Sequence, residues 1–110
     1  MIHLIKERAI PEQVREMLEA LQTYIKLAVD VRQKILAGGG EMHADCEAIL
    51  LEDGSQQVDI WGADWFPYSQ EVRFGSLINI RPKRGNPSMM VESPALRQTI
   101  EQIVRERFGA

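Results

Sequence analysis

The chain has 110 residues, 45% hydrophobic and 26% charged, with 13 basic against 16 acidic side chains for a net charge of −3. That mixture excludes a disordered chain and predicts one domain spanning 1–110 around one core. No apolar run approaches the roughly 18 residues of a membrane span, Met1–Arg8 lacks signal-peptide character, and a lone Cys46 excludes an internal disulfide, so a soluble cytoplasmic protein without a membrane partner is expected.

Ile2, Leu4 and Ile5 form an apolar run too short to separate strand from extended arm. Pro11 suits the first position of a helix, and Val14, Met17, Leu18 and Leu21 recur at helical spacing, predicting a helix over 11 to about 22. From Ile25 through Leu27, Val29, Val31 and Ile35 the apolar period shortens to two, and the β-branched residues favour strand over a continued helix. Gly38-Gly39-Gly40 reads as a turn free to use positive φ.

Glu41, His43, Asp45 and Glu47 then alternate with Met42, Ala44, Cys46 and Ala48, which predicts a strand, with a short helix from Ala44 to Glu52 as the competitor. Asp53-Gly54-Ser55 reads as a hairpin turn into a strand carrying Val58 and Ile60. In that register Glu47 lies opposite Trp61, so acids and tryptophans share a polar odd face while Cys46 turns inward as an inert thiol. Phe66–Gln70 is a turn, and Val72, Phe74, Ile78 and Ile80 alternate as a further strand. Pro82–Pro87 is a basic loop and Met89–Val91 an edge strand. Ser93-Pro94 caps a last helix whose stripe is Leu96, Ile100, Ile103, Val104 and Phe108. The sum is an α+β fold: a mainly antiparallel β-meander of four to six strands with an N-terminal and a C-terminal helix packed on one face.

Three groups of residues could carry function. His43, Asp45 and Glu47, grouped on one strand face, would suit a divalent metal or acid–base work. Trp61 and Trp65 with Asp64, on the same face, would suit a contact surface or, covered by a loop or the N-terminal arm, a second minor core, since a purely solvated face does not ordinarily hold two indoles. Arg81, Lys83 and Arg84, beside Asn79 and Asn86, are the one concentration of positive charge and would suit a phosphate. Three cations on an acidic chain do not predict a nucleic-acid partner, and no small ligand is specified. The leading expectation is a non-enzymatic binding or assembly module that forms a homo-oligomer and needs no cofactor. The alternative is a metal-assisted hydrolase built on His43, Asp45 and Glu47, with a divalent metal as its cofactor.

The stretches Gly39–Glu47, Leu50–Ser55, Asp59-Ile60-Trp61-Gly62 and Ser76–Pro82 with Gly85-Asn86 together resemble a family of small prokaryotic proteins catalogued as a domain of unknown function. The resemblance covers nearly the whole chain. It implies a stand-alone bacterial protein and supplies no mechanism.

Overall fold

A computed structural model describes all residues, 1–110. Five strands, β1 (His3–Ile5), β2 (Ile25–Asp30), β3 (Ile35–Gly40), β4 (Ile60–Phe66) and β5 (Glu71–Arg73), form one antiparallel sheet in the order β1-β3-β2-β4-β5. Three helices accompany it: α1 (Pro11–Met17), α2 (His43–Glu52) and α3 (Pro94–Phe108). The α+β class, the antiparallel sheet and the terminal helices are as expected. No helix is long and apolar enough to cross a membrane.

α1 starts as its sequence predicts, with Pro11 in the first turn and the Gln13 side chain accepting the Ile10 N–H at 3.0 Å. It stops at Met17 rather than near 22, where the chain turns through Gln22 at φ 68°. α3 follows its pattern in full: Ser93 Oγ accepts the Leu96 N–H at 3.2 Å, and Ile100, Ile103, Val104 and Phe108 are buried. Both helices pack on one face of the sheet, against Ile25, Leu27, Val29, Leu36, Trp61, Ala63 and Trp65.

The apolar alternation over 25–35 is two strands and their turn rather than one strand. The turn at Val31–Lys34 forms because Asp30 Oδ1 accepts the N–H groups of Arg32 and Gln33, both at 2.9 Å, and Lys34 takes φ 60°. The three glycines are not a turn; they lie inside β3. Lys26 pairs with Gly40 and Leu27 with Gly38, so Gly39 is the extra residue of a β-bulge at φ 106°. A side chain at Gly39 would run into the Met1 carbonyl, and one at Gly38 would sit 2.6 Å from a Leu27 methyl. Gly39 thus lets β3 lie close against Met17 of α1, and Gly40 lets it lie close against Asp45 at the start of α2.

The largest correction concerns 43–52, which is helix and not strand. Ala44, Glu47, Ala48, Leu50 and Leu51 are strong helix formers, and Cys46 and Leu50, one turn apart, bury against the sheet face opposite α1 and α3. Asp53-Gly54-Ser55 ends that helix instead of turning a hairpin. The Ser55 N–H reaches Leu50 O at 2.9 Å and the Gly54 N–H reaches Leu51 O at 3.1 Å, with Gly54 at φ 106°. This is the paired-bond helix terminus that needs a left-handed residue after the last turn.

After β5 the chain leaves the regular ladder. Residues 77–79 and 82–84 are single 3₁₀ turns, and Gly75–Met90 and Arg81–Asn86 are isolated bridges, where alternating strands through Ile80 and Met89–Val91 were expected. This segment lies beside α2 and, with Ile78, covers part of the second sheet face.

Candidate functional site

Helix geometry separates the acid–histidine series that a strand would have aligned. Successive helical residues turn about 100°, so Asp45 points away from His43 while Glu47 returns to its side. Asp45 is exposed, and no group of three or more His, Cys, Asp or Glu side chains is placed to hold a metal ion. The expected grouping of His43, Asp45 and Glu47 is therefore corrected. His43 instead meets a residue from β4: its Nε2 lies 2.8 Å from Asp64 Oδ1 and 3.2 Å from the Ala63 carbonyl oxygen. Both neighbours are acceptors, so this nitrogen carries the ring proton.

Trp61 and Trp65 are not on an exposed face. β4 pairs with β2, which turns its odd positions toward α1 and α3; Trp65 stacks on Phe108 at 6.0 Å and both indoles belong to the main core. The physical reason is the helix at 43–52: it takes the second face, leaving the odd face of β4 to the terminal helices.

Asn79 and Asn86 are framework. Asn79 Oδ1 accepts the Gly62 N–H at 2.7 Å, and its amide donates to the carbonyls of Gly62, Phe74 and Met89 at 3.0, 3.2 and 3.1 Å. A side-chain amide thus replaces a neighbouring strand on β4. Gly62 is required there, because a Cβ would collide with Ser76. Asn86 donates to the carbonyls of Asn79, Ser88 and Met90 and accepts the Glu92 N–H at 2.8 Å. Neither amide is available to a ligand.

Arg81 is also engaged by the chain. Its guanidinium donates to the carbonyls of Ile78, Val58 and Ile60 and lies 4.4 Å over the Trp61 ring. Burial lowers its pKa from the ordinary arginine value, and the negative charge of Glu47 opposes that shift. Lys83 and Arg84 stand on the neighbouring turn, exposed.

Two recesses flank residues 76–81. One, of roughly 610 Å³, is lined by Glu47, Gln57, Val58, Ile80 and Arg81 with Lys83 and Arg84. The other, of roughly 370 Å³, lies between α2 and the 75–89 segment, with Met42, Ala44, Leu77, Ile78 and Met89 around His43. Gln57, Val58, Leu77 and Ile80 were not singled out by motif or charge. No local signal marks them, since they meet only through the crossing of the 57–60 and 77–84 turns.

The Cys46 thiol is buried and its pKa is pushed up to about 11, chiefly by burial. Ser76 Oγ accepts the Ile78 N–H at 3.3 Å and makes no hydrogen bond to His43. Neither side chain is set up as a nucleophile.

A family model described as protein of unknown function (DUF5674) matches residues 3–107. No curated protein and no solved structure matches the chain.

Proposed function

The chain belongs to this family of unknown function, a membership that prescribes no chemistry, and we propose from the geometry that it is a non-enzymatic binding module that self-associates through the face formed by α2 and residues 75–90. One observation carries this. The 75–92 segment is held in place by the buried amides of Asn79 and Asn86, yet it turns large apolar side chains outward: Leu77 is 64% exposed, Met89 50% and Met90 51%, beside Met42 at 51%. A rigidly tied segment that displays apolar groups has the preorganisation of a contact surface.

A second copy is the partner that fits. A two-fold interface demands self-complementarity, and this face carries both a recess, the 370 Å³ hollow over His43 and Ala44, and projecting side chains at Met89, Met90 and Leu77. Methionine adapts its three torsions to such a hollow. The buried Cys46 and the engaged Ser76 support the non-enzymatic part, since both lack an activating base.

Sedimentation velocity over micromolar concentrations is expected to show a dimer that the double substitution Met89→Glu/Met90→Glu converts to a monomer with an unchanged far-ultraviolet circular dichroism spectrum. A wild-type chain that stays monomeric throughout, or a well-folded double variant that still dimerises, overturns the proposal.

A further inference from the structure

Most positive side chains of this protein are already occupied. Lys6, Arg15, Arg32, Arg73 and Arg105 pair with carboxylates, and Arg8, Lys26, Arg81, Arg97 and Arg107 donate to backbone carbonyls. Lys34, Lys83 and Arg84 are left with neither kind of partner, and two of these three are neighbours at the mouth of the 610 Å³ groove. In a chain with more acids than bases, two adjacent unpaired cations are a local reversal of the average.

The turn that carries them is rigid. Arg81 and Asn86 exchange backbone hydrogen bonds of 2.6 and 3.1 Å, and Gly85 closes the turn at φ 76°. Asn86 ties the same turn to Asn79 and Met90. The cations thus stand on a fixed base, which lowers the entropy lost on binding. The groove also contains an unmet acceptor: Glu47 Oε2 is buried without a hydrogen-bond partner. Apolar surface from Val58, Leu77 and Ile80 completes the lining. Arg81, beneath, adds positive charge, so three cations act against the single charge of Glu47.

We infer that this groove is a binding site for a small organic phosphate monoester, with Lys83 and Arg84 holding the phosphate, Val58, Leu77 and Ile80 contacting an apolar body, and Glu47 accepting a hydrogen bond from an N–H or O–H on that body. A dianionic head matches two free cations better than a carboxylate does, and arginine presents the paired donors that phosphate oxygens accept. Leu77 borders both this groove and the proposed dimer face, whereas Lys83, Arg84 and Glu47 lie outside that face, so the phosphate-holding part of the site does not rest on self-association.

Isothermal titration calorimetry with 4-aminophenyl phosphate tests the site. Saturable binding is expected, weakened roughly tenfold or more by Lys83→Ala/Arg84→Ala, as loss of charge-assisted hydrogen bonds predicts. Phenyl phosphate, which lacks the amine, is expected to bind more weakly to the wild type but equally to Glu47→Ala. 4-Aminobenzoate is expected to bind more weakly than the phosphate. Met89→Glu/Met90→Glu is expected to bind as the wild type does, which separates failure of this site from failure of the dimer. Absence of saturable binding, binding indifferent to the loss of both cations, or equal affinity for inorganic phosphate overturns the inference. So does salt-steep binding of a single-stranded oligonucleotide through Lys83 and Arg84 without binding of the small ester.

Discussion

Asp30 is fully buried at the end of β2, yet its carboxylate is saturated. Oδ1 accepts the N–H groups of Arg32 and Gln33, while Oδ2 accepts from the Gln33 amide at 2.9 Å and the Ser55 hydroxyl at 2.6 Å. Burial alone would raise its pKa; the hydrogen bonds from Ser55, Gln33 and Arg32 outweigh that and hold it below the ordinary 3.8. A carboxyl depressed in the folded state contributes stability that is present above its unfolded pKa and is lost as pH falls through the folded one. Asp30→Asn is therefore expected to destabilise the chain by about 2–3 kcal/mol at neutral pH, because an amide cannot accept all four donors. The difference from wild type is expected to narrow below about pH 4, and denaturant unfolding at a series of pH values measures it. Nothing in the sequence marks Asp30 as special, since its donors come from the following turn and from Ser55, 25 positions away. Cys46 is buried as expected but for a different reason: strand alternation would turn it inward, whereas the helix buries it one turn before Leu50.

At the scale of the element, two segments depart from their own periodicity for different reasons. In 41–50 the alternation was genuine but ambiguous: alanine fits a helix and a strand face alike, and the helix prevailed by burying Cys46 and Leu50 one turn apart. In 76–92 the alternation ends because side-chain amides take over from the ladder. Asn79→Ala is expected to leave the Gly62 N–H and carbonyl without their partner, while the carbonyls of Phe74 and Met89 keep the N–H groups of Val91 and Ser76, at about 3 kcal/mol in all. For a chain of this size that corresponds to a fall in Tm of about 10–15 °C, readable by calorimetry. The same substitution removes nothing that a ligand would touch, so any loss of dimer or of phosphate-ester binding would report the segment's position rather than a lost contact. The terminal helices were legible in the ordinary way, from Pro11, from Ser93-Pro94 and from the stripe Leu96 to Phe108.

For the whole molecule, the sheet is covered on both sides, by α1 and α3 on one face and by α2 with the 76–92 segment on the other. Cys46 lies in the second layer, so its reaction with an aromatic disulfide reagent needs α2 to lift from the sheet. At pH 8 the native thiol is expected to react on the order of 10²-fold more slowly than the same thiol in denaturant, since a pKa of about 11 leaves little thiolate. Reaction at the denatured rate in native buffer would show that the α2 layer opens freely. By itself the sequence determined the α+β class, the capped terminal helices, the turn between β4 and β5 and the basic loop that carries Lys83 and Arg84, because each depends on residues within one or two turns of one another. Only the tertiary structure decided that 43–52 is helical, that Trp61 and Trp65 are core, that Asn79 and Asn86 are framework, and that Glu47 faces the cationic groove. The physical reason is that a strand has two faces of equal local standing. Which of them is buried depends on what packs there from elsewhere in the chain, and here one helix on the second face of the sheet assigns every odd position of β4 to the core.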